Sequence, residues 1–122
     1  MSKSIVGEKS FLFAIRVVKL YKILCNERKE YVLGKQLIRS GTSVGANVRE
    51  ALNAESNADF IHKLSVAQKE CGETLYWLEL LKSTDYLNEN EFLSLHQDAK
   101  ELQKIIRSII LTKKQNASTH DS

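Results

Sequence analysis

Proline is absent from the 122-residue sequence, and glycine occurs only five times. Because a proline inside a helix costs about 3 kcal/mol, its absence over this length favours an all-α fold. The length suits one domain that is large enough to bury a core. The two cysteines, Cys25 and Cys71, lie far apart and have no CxxC partner or accompanying histidine. This usage predicts reduced core thiols in a cytoplasmic protein.

The sequence also lacks a long apolar run. Residues 11–25 are apolar enough to suggest a signal peptide, but Arg16, Lys19 and Lys22 interrupt them at helical spacing. A secretory segment is continuously apolar, and a membrane span needs about 20 apolar residues. A core helix with a basic outer face explains this pattern more simply than a helix that lies on a membrane surface, so we expect no membrane partner.

Catalytic and metal-binding patterns are equally scarce. A di-metal site in a four-helix bundle needs two Glu-x-x-His pairs and two further glutamates. The nearest match is the pair Asp59 and His62, and His96 has Leu93 at the position of the acid. Three histidines without a nucleophile motif do not indicate a hydrolase. The sequence therefore predicts no enzyme activity, no catalytic residue, no metal site and no cofactor.

Charge is present but unevenly distributed. The chain has a net charge of +3, yet residues 1–56 hold ten Lys/Arg against five Asp/Glu. Residues 57–122 hold eight Lys/Arg against ten Asp/Glu. A basic first half is typical of a surface that contacts phosphate or an acidic partner, although a merely solvated face has the same composition.

Apolar residues recur at helical spacing in four segments. The predicted helices cover about residues 8–25, 28–53, 57–83 and 88–114, and the polar tail 115–122 is predicted to be disordered. Short polar connections between them predict an antiparallel up-down-up-down four-helix bundle that forms one domain over residues 1–122.

Two helix starts have recognisable capping signals. Ser56 is followed three residues later by Asp59, and Asn88 is followed three residues later by Glu91. Such pairs satisfy the unpaired backbone N–H groups of a first helical turn. We therefore expect the third and fourth helices to begin directly after Ser56 and Asn88.

The first helix has more apolar surface than one neighbouring helix can bury. Its two apolar stripes are Phe11, Ala14, Val18, Tyr21 and Cys25, and Phe13, Val17, Leu20 and Leu24. The excess predicts either a central position in the bundle or a subunit interface.

The second helix is rich in small and polar residues. Three glycines, Gly34, Gly41 and Gly45, each cost about 1 kcal/mol of helix propensity, so we expect them to permit close backbone approach or a kink. A polar row recurs at steps of four and three: Gln36, Ser40, Ser43, Asn47 and Glu50. We interpret this row as a structural set of half-buried hydrogen-bonding groups, because such groups fix helix register and partner.

A basic face lies beside the polar row. The candidate nucleic-acid-binding residues are Arg16, Lys19, Lys22, Arg28, Lys35, Arg39 and Arg49. Arrays of this kind contact phosphates without reading bases. A second possible location is the fourth helix, which contains Lys104, Arg107, Lys113 and Lys114.

The second and third helices resemble the 23S rRNA-intervening-sequence proteins, also called the four helix bundle protein family. The residues are Gln36–Ser40 and Ser43–Ala51, which follow the family pattern Q-L-R-R-A/S-x-x-S-I-P-A-N-I-A-E-G, and the segments 60–64 and 69–81. Gly45 replaces the common proline, and Ala51 replaces the common glycine.

The resemblance implies a small bacterial, non-enzymatic protein that forms a homopentamer. It also implies a similarity to the accessory proteins of diversity-generating retroelements, which bind nucleic acid and a reverse transcriptase. From the basic face and this resemblance we expect an oligomeric protein that contacts RNA or DNA backbones without sequence specificity. The alternative is a protein–protein adaptor that docks an acidic partner.

Overall fold

The computed structural model describes residues 4–121 of the chain, and their side chains through residue 116. The described residues form four α-helices and no β-strand. The helices are α1 (Ile5–Asn26), α2 (Val32–Leu52), α3 (Asn57–Ser83) and α4 (Glu89–Asp121). The prediction of an all-α chain with four helices is therefore confirmed.

Consecutive helices pack against each other, and α1 also contacts α4 less extensively. All four contribute fully buried side chains to one core, such as Phe13, Leu37, Leu78 and Ile106. Burial of apolar area is the main driving force for this arrangement, at about 25 cal/mol per Å². None of the helices within residues 4–121 is both long enough and apolar enough to cross a membrane.

The first helix begins three residues before the predicted start at about residue 8. Ser4 is its N-cap, and the Ser4 hydroxyl accepts a hydrogen bond from the backbone N–H of Gly7 at 3.1 Å. This bond satisfies one of the N–H groups that the first turn leaves unpaired. The cap allows Ile5 and Val6 to enter the helix before the acidic first-turn residue Glu8.

The second helix begins at Val32, so the predicted start at residue 28 was wrong. Lys29 has a positive φ of 56°, which ends any continuous helical path through the connection. The mostly buried Glu30 then caps α2, because its carboxylate accepts a hydrogen bond from the Leu33 N–H at 2.9 Å. Arg28 consequently lies in the connection and not on a face of α2.

The expected starts of the last two helices are confirmed. The Ser56 hydroxyl accepts a hydrogen bond from the backbone N–H of Asp59 at 3.1 Å. At α4 the Asn88 side chain accepts from the Glu91 N–H at 2.8 Å, and the Glu91 carboxylate accepts from the Asn88 N–H at 3.0 Å. The second arrangement is a complete, reciprocal capping box.

The fourth helix is longer than predicted. It continues through Asp121, so the tail expected to be disordered from residue 115 is helical as far as the structure describes it; Ser122 lies outside the described residues. No proline or glycine follows Gly72, and the polar residues after Lys114 therefore do not interrupt a helix that is already nucleated.

Glycines bring α1 and α2 into close contact. A Cβ atom added at Gly41 would lie 2.8 and 2.9 Å from the two methyl carbons of the buried Val17. A Cβ at Gly45 would lie 3.2 Å from the Ser10 carbonyl oxygen. The close approach that the sequence predicts therefore occurs between α1 and α2, and it depends on the absence of side chains at these two positions.

Candidate nucleic-acid interface

Three of the seven candidate basic residues form ion pairs within the chain. Arg16 on α1 pairs with Asp98 on α4, and its second terminal nitrogen donates a hydrogen bond to the Ser94 hydroxyl at 2.6 Å. Lys9 makes a similar pair with Glu101 one to two turns earlier on α1. These contacts join α1 and α4, which pack against each other less extensively than consecutive helices do. Arg16 therefore helps to hold the bundle together and is also a surface cation.

Arg28 is the most fully engaged of the three. Its guanidinium donates two hydrogen bonds to the Glu91 carboxylate, at 2.9 and 2.7 Å, and a third to the Tyr86 carbonyl at 2.7 Å. The hydrogen bond from Arg28 holds the pKa of Glu91 below its ordinary value of 4.5. Arg28 therefore ties the α1–α2 connection to the start of α4, and such bidentate pairs leave few donors for a ligand.

Arg39 joins α2 to α3. It contacts the Glu73 carboxylate at 2.6 Å and the Glu70 carboxylate at 3.5 Å. Burial raises the pKa of Glu70 above 4.5, and the nearby charge of Glu73 acts in the same direction. Arg39 is half-exposed, yet a phosphate would have to compete with both glutamates for it.

The other four candidates are available to a ligand. Lys19, Lys22, Lys35 and Arg49 are exposed, and none forms an ion pair with any residue whose side chain the structure describes. We call these four residues the α1–α2 cations. Arg49 differs from the lysines because its guanidinium lies 5.6 Å from the centre of the Phe11 ring, which is within the range of a cation–π contact.

Two of the lysines lie at the same level of the bundle. Gly34 packs against Tyr21, since a Cβ at Gly34 would lie 3.4 Å from the Tyr21 ring. Lys35 directly follows Gly34 on α2, and Lys22 directly follows Tyr21 on α1. The two lysines are therefore on neighbouring turns of the two helices. Positive charge that no nearby carboxylate neutralises raises the local concentration of an anionic ligand.

Two members of the polar row of α2, Ser40 and Glu50, connect this helix to α3. Ser40 is fully buried, and its hydroxyl accepts a hydrogen bond from the Thr74 hydroxyl at 3.0 Å. Glu50 pairs with Lys63 at 3.3 Å. The Ser40–Thr74 bond is the buried polar contact that sets the register of α2 against α3.

The remaining members of the polar row bond within their own helix or not at all. The Ser43 hydroxyl donates to the Arg39 carbonyl at 2.6 Å, and the Asn47 side-chain amide donates to the Ser43 carbonyl at 2.8 Å. Gln36 has no hydrogen bond among the described side chains. The row is therefore a set of separate local contacts and not one continuous network.

An apolar groove of about 910 Å³ lies between α1 and α2 on the outer surface. Small residues, including Ala14, Gly45 and Ala46, line it together with Phe11 and Leu52. Phe11 and Leu52 are 52% and 47% exposed. We call this feature the α1–α2 groove.

Two further apolar residues of α1 are exposed: Leu12 is 59% exposed and Ile15 is 38% exposed. Of the two stripes predicted for the first helix, one is buried in the core, and Phe11 is the exposed member of the other; Leu12 and Ile15 belong to neither stripe. Large exposed apolar patches mark interaction sites more often than they mark ordinary monomer surface.

The structure offers little for catalysis or metal binding. Among the described residues, no group of three or more His, Cys, Asp or Glu is placed to hold a metal ion. Cys71 is buried, and burial raises the pKa of its thiol to about 12, which leaves it without reactive thiolate at neutral pH. Cys25 is partly buried, and both cysteines are free.

Three of the four cations predicted as a second possible location on the fourth helix are exposed on one face together with Lys100, whereas Lys113 lies 5.0 Å from the centre of the Phe60 ring. Lys100, Lys104, Arg107 and Lys114 are exposed on α4, at steps of four, three and seven residues. These steps place them on one face of a helix. The spacing of these four cations is visible in the sequence, but the apolar heptad of α4 is the stronger periodic pattern in the same segment.

The comparisons with known proteins agree with the resemblance of the sequence motifs. The family model of the 23S rRNA-intervening sequence protein matches residues 2–108. A crystal structure of a protein with unknown function from the S23 ribosomal protein family of Bacteroides thetaiotaomicron is 54% identical in sequence, with a TM-score of 0.86. The match covers 87% of this chain and 95% of that chain. No curated protein matches the chain. Since the family model spans most of its length, the chain belongs to the 23S rRNA-intervening sequence protein family.

Proposed function

We propose that this protein is a non-enzymatic, oligomeric protein that contacts the backbone of RNA or DNA without sequence specificity. The observation that supports this most is the set of four exposed α1–α2 cations that have no carboxylate partner among the described residues. Lysine and arginine side chains supply most of the affinity of nonspecific nucleic-acid binding, because each neutralised phosphate releases condensed counterions. A cytoplasmic location is part of the same proposal.

The absence of specificity follows from the kind of residues in this set. Three of the four are lysines, which bind phosphate as flexible point charges. Base recognition uses side chains that insert into a groove and hydrogen-bond to base edges. Arg49 already lies against the Phe11 ring and is less free to reach a base edge.

We further propose that the chain is an antiparallel up-down-up-down bundle that assembles into a homo-oligomer, with five copies as the family resemblance implies. The α1–α2 groove is the proposed contact with a second copy of the chain. Phe11, Leu12, Ile15 and Leu52 leave exposed apolar surface that a specific interface of roughly 800 Å² per partner would bury. Assembly would cover Arg49, which lines the groove, and would repeat Lys19, Lys22 and Lys35 around the oligomer, which increases avidity.

The adaptor hypothesis rests on a different observation. Arg49 lines the mostly apolar α1–α2 groove together with Glu8 and Glu50, and such a groove suits an amphipathic protein segment whose acidic residues pair with Arg49. A reverse transcriptase is one partner that the family resemblance implies. Nucleic-acid binding separates the two hypotheses, because an adaptor of this kind needs no affinity for phosphate backbones.

The test is the salt dependence of binding for wild type and for a variant with Lys19→Gln, Lys22→Gln and Lys35→Gln. Glutamine keeps a similar helix propensity, so the fold should be retained. We expect the slope of log affinity against log salt on mixed-sequence RNA and DNA to become less steep by about 2 to 3, since each lysine contributes about 0.9 on a duplex and less on a single strand.

A charge-matched control variant replaces Lys29, Lys63 and Lys82 with glutamine. Lys63 and Lys82 already pair with carboxylates at 3.3 and 3.2 Å, and the Lys29 ammonium donates a hydrogen bond to the Asn26 carbonyl at 3.0 Å, so these engaged lysines should contribute little to the slope. An equal change in slope for test and control variants would reduce the effect to net charge and contradict the proposed face. No binding of the wild type at low salt would favour the adaptor.

A further inference from the structure

The outer face of α4 has a straight row of cations that the proposed function does not use. Lys100, Lys104, Arg107 and Lys114 are all exposed, and 14 residues separate the first from the last. At about 1.5 Å per residue, the row extends for about 21 Å along the helix axis. It lies on a single helix, whereas the α1–α2 set is divided between two helices.

None of these four cations has an ion-pair partner among residues 4–116. The two acidic residues within this part of α4, Asp98 and Glu101, pair with Arg16 and Lys9 of α1. No Asp or Glu occurs between residues 102 and 120. The α4 row is therefore a positive strip without neutralising carboxylates on its own helix.

The chemistry of this face suits a phosphate backbone. A duplex presents one phosphate per 3.4 Å of axis on each strand, so a stretch of duplex as long as the row carries about six phosphates per strand, of which the straight row can reach those that face it. Leu111 is the one apolar residue between Arg107 and Lys114 on this face, and a single leucine offers little burial to a lipid surface.

Single strands are the less suitable ligand for α4. Proteins that bind single strands combine positive charge with aromatic side chains on which bases stack. No aromatic residue occurs between residues 97 and 116. Phe92 and His96 lie nearer the start of the helix and stack on each other with ring centres 4.7 Å apart, and His96 also contacts Glu79 at 2.9 Å.

We propose that the outer face of α4 is a second nucleic-acid surface, which binds the phosphates of a duplex along Lys100, Lys104, Arg107 and Lys114. This inference rests on the proposed function and names double-stranded RNA or DNA as the ligand of this face. Duplex RNA and duplex DNA share the recognised chemistry, and parallel assays with each distinguish them.

The experiment compares wild type with a variant that has Lys100→Gln, Lys104→Gln and Arg107→Gln, using a 20-base-pair duplex and a single strand of the same length. Circular dichroism and thermal melting first establish that the variant keeps its helical fold. We expect the slope of log affinity against log salt on the duplex to become less steep by about 2 to 3. The slope on the single strand should change much less.

The outcomes separate this inference from the proposed function. A duplex slope that is unchanged in the α4 variant but reduced in the Lys19, Lys22 and Lys35 variant would overturn the inference and leave the proposed function standing. An equal loss on duplex and single strand would overturn the assignment of a duplex. Absence of any wild-type binding would overturn both.

Two further measurements test a lipid surface as the ligand and the effect of net charge alone. Phosphatidylcholine vesicles containing phosphatidylserine test for a lipid surface, and variant-sensitive binding to them without duplex binding would also overturn the inference. The control variant with Lys29, Lys63 and Lys82 replaced removes the same three charges elsewhere. Retention of the wild-type duplex slope by that control supports the α4 surface.

Discussion

Light scattering is expected to give the wild-type protein a mass several times the 13.9 kDa of one chain, and about five times if the family resemblance holds for assembly. A variant with Phe11→Asp and Ala46→Glu is expected to have the mass of a single chain. Both positions are exposed and line the α1–α2 groove, so the substitutions place charge in the proposed interface without altering the core. Arg49, which lies beside Phe11, can neutralise only one of the two new carboxylates, and burying the other without a partner is strongly unfavourable.

The matched control for this variant is Leu93→Asp. Leu93 is 42% exposed near the N-terminus of α4, where an acidic residue is compatible with the helix dipole. We expect the control to assemble like the wild type and to melt at a similar temperature. A monodisperse wild-type monomer at micromolar concentration would contradict the oligomer, and dispersal by Leu93→Asp alone would place the interface on α4.

Replacement of Gly41 and Gly72 by alanine should have opposite effects on stability. At Gly41 the new Cβ would lie 2.8 Å from a methyl carbon of Val17, which is fully buried and β-branched and cannot move away easily. Overpacking of this kind costs about 1–3 kcal/mol, against a gain of about 1 kcal/mol in helix propensity. We therefore expect Gly41→Ala to lower the free energy of unfolding, by up to about 2 kcal/mol.

Gly72→Ala is the matched control, because the chemical change is identical. A Cβ at Gly72 would meet only the Gln103 side-chain nitrogen, at an ordinary distance of 3.7 Å. The gain in helix propensity then has no opposing strain, and the free energy of unfolding should rise by about 1 kcal/mol. Denaturant titration of the three proteins measures both changes. If Gly41→Ala were as stabilising as Gly72→Ala, the tight contact between α1 and α2 would be disproved.

Capping pairs in the sequence predicted the starts of the two helices that have them, α3 and α4. The pairs Ser56–Asp59 and Asn88–Glu91 identified the starts of α3 and α4, since a cap and its partner are only three residues apart. The start of α2 had no such signal. Its cap is a glutamate after a residue with positive φ, and neither feature is a usual mark of a helix start.

The ion-pair partners of the basic residues could not be predicted from such local signals. Arg16 and Asp98 are 82 positions apart, and Arg28 and Glu91 are 63 positions apart. Such pairs depend on how helices are placed against each other in the bundle. The sequence therefore identified the cations of the candidate site, while the structure was needed to separate the paired ones from those that a phosphate can reach.

Binding of unrelated sequences over a range of salt concentrations tests the proposed function most directly. The wild-type protein would be titrated with three mixed-sequence duplexes of equal length. The proposal predicts that all three give the same line of log affinity against log salt, with a slope of about −0.9 per neutralised phosphate. Affinity for one sequence about 10³-fold above the others at the same salt would contradict it, because specific recognition has ratios of that size. So would the absence of binding at about 50 mM salt, where electrostatic contacts are strong.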